Sequence, residues 1–441
     1  MKSKWADDEQ DAADAARRKQ EKDEKKRARV EKQKRLEEQQ ARARQSEETA
    51  VSRDISDRPA KRQRLGNEDG SNSTSESAPL LRFDTGSWQP SRSISEFEML
   101  NPIEEGTYGY VSRARDTASN SIVALKKMKL EGASSYGIPV TCLREIQTLQ
   151  RARHKHVIHL QEVITSDDHS TTSPLVPDIY LVMEFASHDL KSLLTTMPAP
   201  FTPSETKSLL LQLTSALSHL HTNSILHRDL KTSNILLLST GRLKLADFGM
   251  ARFTSSPPPP NLTALVVTLW YRAPELLLGA RNYGPEIDLW SLGCVFAELL
   301  SRDPILQGRN EVDQLGKIFE LVGLPSDKSW PGWRRLPNAR TLRVPERKGK
   351  GKLRSMFTQL TRMGMELLED LLTLNPESRL TAQEVLEHDY FAEDPKPKRE
   401  EMFPSFPSKA GGERRRRDTP DAPGRGGDGK VDFSGLFERK M

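Results

Sequence analysis

Apolar residues in this chain are confined to its middle, and that confinement limits where a core can form. From Phe97 onward they recur in short runs at strand spacing, at Val111 and across Ile122-Val123-Ala124-Leu125, and Leu143 to Leu149 follows the helical period. Ile179 to Phe185 is a continuous apolar run suited to a buried strand. After Pro203 helical spacing dominates, through Leu209-Leu210-Leu211, Leu213, Leu217 and Leu220. Strands first and helices later predict a two-part α+β domain. Averaged over 441 residues the chain is only 35% hydrophobic and 29% charged, because the two ends dilute the middle.

Those ends lack what a core needs. Residues 1–50 are about half charged, with both signs mixed, and Val30 and Leu36 stand nearly alone in the helix-forming run from Arg17 to Gln40. Without sustained apolar a/d positions this run makes no coiled coil and reads as a solvated, fluctuating segment. Residues 51–93 read as a disordered linker. Within it Pro59-Ala60-Lys61-Arg62-Gln63-Arg64 is read either as a nuclear import signal or as plain solvated chain. Order is expected to end near Phe391, before Pro395, Pro397 and the Arg414-Arg415-Arg416-Arg417 cluster. No apolar run approaches the roughly 20 residues that cross a bilayer, and residues 1–8 lack the apolar stretch of a secretory signal; no membrane association is expected. The two cysteines, Cys142 and Cys294, exclude a disulfide framework or a cysteine-built zinc site and are read as buried, inert hydrophobes. A net charge of +5 is modest for this length, so acidic partners would be held by local basic clusters.

Polar residues in the middle form an ordered series. Ile103-Glu104-Glu105-Gly106-Thr107-Tyr108-Gly109-Tyr110-Val111 has the glycines of a loop that closes over phosphates, although Glu104 replaces the first of the usual three. Lys126, in Val123-Ala124-Leu125-Lys126, is positioned to reach α- and β-phosphates from a strand, with Glu145 on the following helix as its partner. His227-Arg228-Asp229-Leu230-Lys231-Thr232-Ser233-Asn234 supplies an acid to accept or orient a hydroxyl proton, a cation for the moving phosphoryl group and an amide oxygen for magnesium. An aspartate is a weak base at neutral pH, so Asp229 is expected to act by position. In Leu245-Ala246-Asp247-Phe248-Gly249, Asp247 offers the hard oxygen that magnesium favours. Ala273-Pro274-Glu275 closes the segment, with Arg379 as a distant partner for Glu275. Each motif alone has a mundane explanation; their conjunction in this order points to phosphoryl transfer, which needs held phosphates, cations and a proton acceptor.

On these motifs the chain resembles the eukaryotic protein kinases, and more narrowly the cyclin-dependent kinases. Pro139-Val140-Thr141-Cys142-Leu143-Arg144-Glu145 is similar to the PITSLRE subgroup with two substitutions, Val140 and Cys142. Glu104-Glu105, His188-Asp189-Leu190-Lys191-Ser192-Leu193, Thr232-Ser233 and Met402-Phe403-Pro404-Ser405-Phe406-Pro407-Ser408 also match that subgroup. The resemblance covers about residues 94–408. It implies an α+β, bilobal protein kinase fold: a small β-rich N-lobe with one regulatory helix and hinge over 94–186, and a larger helical C-lobe over 187–391. A disordered tail and linker over 1–93 and a mostly disordered extension over 392–441 flank it.

The resemblance further implies ATP and Mg2+ as cofactors and a serine/threonine specificity. Catalysis falls to Asp229, Lys231 and Asn234, and metal to Asn234 and Asp247. The nucleotide contacts are Ile103, Gly106, Thr107, Tyr108, Gly109, Val111, Ala124, Lys126, Glu145, Met183, Glu184, Phe185, Ala186, Leu236 and Asp247. Met183 gates the back of the adenine pocket, Glu184 to Ala186 form the hinge, and Asp288 braces the catalytic loop. Thr263 is the activating phosphosite, with Arg144, Arg228 and Arg252 converging on its phosphate; Ala264 stands where the subgroup carries proline. Thr107 and Tyr108 are inhibitory phosphosite positions. Val266-Val267 and Arg272 match the pocket that favours proline after the target hydroxyl, because proline has no N–H to strand; Ser-Pro or Thr-Pro sites are the expected substrates. A cyclin, of L type, is the implied partner, and without it the helix carrying Glu145 is expected to sit rotated out. The implied setting is the nucleus, also the cytoplasm, with roles in transcription, pre-mRNA processing or the cell cycle. The alternatives are a catalytically weak kinase-like scaffold, against which Lys126, Asp229, Asn234 and Asp247 all stand, and a module whose basic tails bind RNA weakly. Those tails lack the aromatics that stack on bases.

Overall fold

The computed structural model describes residues 91–105, 109–130, 138–170, 173–255, 268–342 and 351–404. They form an α+β body of two lobes. The small lobe contains β1 (Phe97–Glu105), β2 (Gly109–Asp116), β3 (Ile122–Met128), helix α1 (Val140–Arg151), β4 (Leu160–Ser170) and β5 (Ser173–Glu184). The strands pair antiparallel in one five-stranded sheet of order β1-β2-β3-β5-β4. Because side chains alternate along a strand, β3 serves two cores. Val123 and Leu125 join Phe97, Ala114, Ile164 and Val182 in a small cluster, while Ala124 and Met128 face the main core. Lys126 shares the face of Ala124 and Met128, which aims it between the lobes.

Gly109 starts β2 where the strand presses on β3: a Cβ there would meet the Lys127 carbonyl oxygen at 2.3 Å. Helix α1 buries Cys142, Glu145, Thr148 and Leu149, a stripe at helical spacing, and leaves Val140 and Leu143 in the open. Just ahead of β1, the Arg92 guanidinium ties Asp116 at 2.7 Å, Glu162 at 2.9 Å and Glu96 at 2.8 Å. It thereby links β2 to β4 across the sheet.

The large lobe runs through β6 (His188–Asp189), α2 (Leu190–Thr196), α3 (Pro203–Thr222), β7 (Ile225–Leu226), β8 (Ile235–Leu237), β9 (Leu243–Leu245) and β10 (Arg252–Phe253). It continues through α4 (Pro274–Leu277), α5 (Glu286–Ser301), α6 (Glu311–Val322), α7 (Leu353–Met356), α8 (Arg362–Leu371) and α9 (Ala382–Leu386). Helix α3 starts on a capping box, Thr202 with Glu205, with proline in its first turn. Helix α5 is buried over nearly its whole circumference, from Ile287 to Leu299, and is the post around which the lobe packs. The pair foreseen between Glu275 and Arg379 is present and fully enclosed, at 2.9 Å.

The chain does not leave the body at Phe391. Residues 393–403 run back over the large lobe as a strap. The buried Lys207 ammonium donates to the Glu393 carbonyl at 3.0 Å, and Lys398 pairs with Glu205 at 2.9 Å. Glu400 takes Lys155 at 2.5 Å and Arg242 at 3.1 Å, and Phe403 enters the main core. Gly241, at a φ of +78°, makes room, since a Cβ there would strike the Glu400 carbonyl oxygen. The strap is nearly silent in the sequence because its anchors are charges and one phenylalanine. No helix among the described residues is long and apolar enough to cross a membrane.

Candidate active site

Three segments bring their polar side chains to one place between the lobes. From β3, Lys126 donates to Glu145 of α1 at 2.7 Å and to Asp247 at 3.0 Å. Burial pulls the Lys126 ammonium down, but the Asp247 and Glu145 carboxylates outweigh it and hold it above the ordinary lysine value. The same ammonium overcomes the effect of burial on Asp247 and keeps that carboxyl below its usual range. Both partners are thus fixed as ions. Helix α1 is docked inward with Glu145 buried, contrary to the expectation that it sits rotated out. The physical reason is on the helix itself: Cys142, Thr148 and Leu149 are buried with Glu145, so the inward face is already packed.

The catalytic-loop motif lies between β7 and β8. The fully buried Asp288 carboxylate, on α5, accepts the His227 and Arg228 amides at 2.9 Å each and His221 at 3.1 Å. These bonds hold Arg228 at a φ of +63°, a strained conformation for a residue with a side chain. Burial opposes charge on Asp288, but His221 and the amides win and hold its carboxyl below the usual value. His227 sits structurally, its Nε2 3.1 Å from the Ala246 carbonyl and its ring edge-on to Phe248.

Within this brace the Asp229 carboxylate meets Lys231 at 3.1 Å. Asn234 donates its amide to the Asp229 carbonyl at 2.8 Å, and its backbone carbonyl takes the Ala246 amide at 2.9 Å. That donation uses Nδ2 and leaves Oδ1 as an acceptor, which the Ser233 hydroxyl meets at 3.5 Å. The Ala246 bond also fixes Asp247 beside the loop, at a φ of +61°. One residue escaped the sequence reading: Thr268 donates both its amide, at 3.1 Å, and its hydroxyl, at 2.9 Å, to Asp229, while Lys231 reaches the same hydroxyl at 3.3 Å. Nothing in the spacing around Thr268 flags it; only its place a few residues ahead of Ala273-Pro274-Glu275 hints at the site.

Of the residues expected to contact a purine, four pack into one core. Ala124 and Met183 face each other across β3 and β5 and share the main core with Val111 and Leu236. Ile103 lies half-buried on β1. The Glu184 carboxylate is taken by Lys244 at 2.7 Å and the His159 amide at 2.8 Å. Phe185 carries the Arg113 guanidinium over its ring, and Ala186 follows it, half-buried. Gly106, Thr107, Tyr108, Thr263, Val266 and Val267 lie outside the described residues. Of the three arginines assigned to a phosphate, Arg144 and Arg252 line one surface cleft with Val140, Leu143, Gln147 and Phe253. Arg228 donates to the Met250 carbonyl at 2.8 Å and to the Tyr283 hydroxyl at 3.0 Å. Arg252 acts on that same hydroxyl.

The donor set suits a hard divalent cation. Asp247 and the Asn234 amide oxygen supply two oxygens, and no three His, Cys, Asp or Glu side chains among the described residues converge to hold a metal alone. A cation that keeps few protein carboxylates and completes its shell with phosphates fits such a site.

A protein kinase domain is matched over residues 97–391. The chain belongs to the protein kinase family. It is 49% identical to the serine/threonine-protein kinase ppk23 of Schizosaccharomyces pombe over 76% of this chain and 81% of that one. It is 44% identical to cyclin-dependent kinase 11B of Rattus norvegicus over 77% of this chain and 76% of the rat protein. With cyclin-dependent kinase G-1 of Oryza sativa subsp. indica it shares 46% identity over 73% of this chain, but spans only 46% of that relative. This kinase is thus of the serine/threonine, cyclin-dependent type and stands near the PITSLRE group. Its domain implies use of ATP and a divalent metal.

Proposed function

We propose that this kinase transfers the γ-phosphate of ATP to serine or threonine followed by proline in protein substrates, with Mg2+ as the metal and a cyclin as activating partner. The observation that carries the reading is the meeting of Lys126, paired with Glu145 and Asp247, with the Asp229–Lys231–Asn234 cluster in one cleft. In this reading Lys126 holds the α- and β-phosphates, and Glu145 keeps its ammonium aimed. Asp247 and Asn234 would hold the metal, which would supply positive charge to offset that of the phosphates. Asp229 orients the substrate hydroxyl and takes its proton, its carboxylate fixed by Lys231 and Thr268. Lys231 offsets charge on the moving group. Because the transition state is loose, alignment and electrostatics carry the rate more than basicity does.

The same reading makes Thr263 the activating phosphosite, with a phosphate of about −1.5 to −2 charge met by Arg144, Arg228 and Arg252. Thr107 and Tyr108 are its inhibitory counterparts. The exposed Val140 and Leu143 on α1 form the face for a cyclin, of L type by the subgroup resemblance. We place the kinase in the nucleus, acting in transcription, pre-mRNA processing or the cell cycle, with the cluster from Pro59 to Arg64 as import signal and the basic tails as weak RNA tethers. Imaging the tagged chain with that cluster neutralised tests the location.

The core of the proposal is tested by Asp229→Asn, assayed for phosphate transfer from ATP to a Ser-Pro peptide. A loss of about 10²–10⁴-fold in kcat is expected for removing the proton-accepting group. Unchanged transfer at equal folding, read by circular dichroism, would sink the assignment of Asp229.

A further inference from the structure

Lys126 meets two carboxylates, and each reaches it on a separate segment. Glu145 rides on α1, which passes into the turn over 152–159, and Asp247 stands two residues past the end of β9. These two carriers are bonded to each other behind the cleft. The Leu245 amide donates to the His156 carbonyl and the Ile158 amide to the Leu245 carbonyl, at 2.8 Å each. His156 Nδ1 lies 3.2 Å from the Leu243 carbonyl oxygen. Val157, Ile158 and Leu245 are buried, so this short ladder is closed to water. A slip of one carrier along the other would change the spacing of Glu145 and Asp247, which Lys126 bridges at 2.7 Å and 3.0 Å.

The strap grips both carriers at once. They run parallel, and Lys155 and Arg242 each stand just ahead of the ladder, at the same end of it. Glu400 joins them: Oε1 takes Lys155 at 2.5 Å and Oε2 takes Arg242 at 3.1 Å. The same Oε1 lies 4.0 Å from His156 Nε2. Burial works against the Glu400 carboxylate, but its bonds to Lys155 and Arg242 outweigh it and hold the carboxyl below the ordinary glutamate value. The backbone of the strap is seated here as well, since a Cβ at Gly241 would meet both the Glu400 carbonyl and Phe403. The Lys155 and Arg242 side chains are 52% and 40% exposed, and ion pairs so open to water add little to stability. What sets this carboxylate apart is its geometry, one oxygen on each carrier.

We propose that Glu400 is a positioning residue for phosphate transfer: by bridging Lys155 and Arg242 it fixes the register between the turn after α1 and β9, and with it the spacing of Glu145 and Asp247 about Lys126. The inference deepens the kinase reading above and rests on it. The strap carries its own control. Lys398 pairs with Glu205 in the first turn of α3, away from the ladder, so Lys398→Met loosens the strap without touching either carrier.

The test uses the full chain and reads two quantities for Glu400→Gln, for Lys155→Met/Arg242→Met, for the triple variant and for Lys398→Met. The first is steady-state transfer from ATP to a Ser-Pro peptide. Glu400→Gln is expected to lower kcat/KM for ATP about threefold to tenfold, the range that two partly exposed ion pairs supply, at an unchanged KM for the peptide. The gap from the parent is expected to narrow as salt rises from about 0.05 to about 0.5 M, because such pairs are screened. Lys155→Met/Arg242→Met is expected to match Glu400→Gln, and the triple variant to be no worse, because all three side chains form one unit. Lys398→Met is expected to stay within twofold of the parent. The second quantity is hydrogen exchange of the Ile158 and Leu245 amides, which form the ladder, against that of α5. In Glu400→Gln the ladder amides are expected to exchange at least threefold faster while α5 is unchanged; a merely structural loss would speed both together. A kcat/KM for ATP within twofold of the parent, a ladder that exchanges at the parent rate, or a Lys398→Met that matches Glu400→Gln overturns the inference. Asp229→Asn in the same assay separates the two claims: if it is inactive, such a failure belongs to Glu400 alone, and if it is active, the kinase reading itself falls.

Discussion

His154 shows how one side chain can make this fold sensitive to acid. It lies half-buried in the turn after α1, stacked on His219 of α3 with ring centroids 4.9 Å apart and edge-on to His156 at 5.5 Å. Burial, then the neighbouring His219 and His156, lower its pKa from the ordinary 6.5 to about 4. Lys155 and Lys244 add to this, and His219 is lowered by burial as well. A group whose folded-state pKa is depressed excludes a proton that the unfolded chain accepts. The folded state therefore keeps its full advantage above about pH 6.5 and loses it as pH falls toward 4. His154→Phe keeps a stacking ring and removes the titration. In urea melts the stability of the parent relative to this variant is expected to fall across that window; a constant difference would show that His154 carries no such linkage. The residues of the cleft divide in the same way between what chemistry demands and what contact decides. Lys126, Asp229, Asn234 and Asp247 could be named from the sequence because phosphate transfer requires an ammonium, an acid and hard oxygens in that order. Thr268 could not. It is an ordinary residue type whose partner Asp229 lies 39 residues away, and only the folded chain brings the two together.

At the scale of elements, periodicity was informative wherever burial was apolar. The alternation on β3, the buried run of β5 and the leucine rows of α3 are set by the hydrophobic effect and leave a pattern. The strap over residues 393–403 leaves none, since its hold is ionic. Lys207 is its sharpest anchor: the ammonium is 1% exposed, donates to the Glu393 carbonyl and lies 4.6 Å over the Tyr390 ring. Ending the chain after Ala392 removes the carbonyl and leaves Tyr390, stranding a buried charge. Removing one partner of a buried charge costs about 3–5 kcal/mol, so the truncated chain is expected to be destabilised by at least that order in denaturant melts. Lys207→Met in the truncated background should restore part of the loss, because it replaces the stranded ammonium with an apolar chain of similar length. If the methionine variant is no more stable than the plain truncation, the strap is held by its other contacts, at Lys398, Glu400 and Phe403.

For the whole molecule, the docked state of α1 changes what an activating partner has to do. The Lys126–Glu145 pair is closed at 2.7 Å in the structure of the single chain. A partner then acts by binding that arrangement more tightly than others, and its effect is bounded by the difference in affinity. The surface available for it is plain: Ile138, Val140 and Leu143 expose 38%, 64% and 49% of their area on and beside α1. Exposed apolar residues grouped on one helix face mark an interaction site more often than isolated ones do. Leu143 lines the surface cleft with Val140, Arg144 and Arg252 and is not among the residues assigned to nucleotide or metal. Leu143→Asp is therefore expected to leave the basal transfer rate of the isolated chain within about twofold, since surface substitutions rarely exceed a few tenths of a kcal/mol. It is also expected to abolish stimulation by an added cyclin, because a charge at the centre of an apolar contact is desolvated without a partner. Activity titrations of parent and variant against the cyclin measure both quantities together. Undiminished stimulation of the variant would move the docking face elsewhere, while loss of basal activity would mean that Leu143 holds α1 against the sheet and that the inward state depends on it.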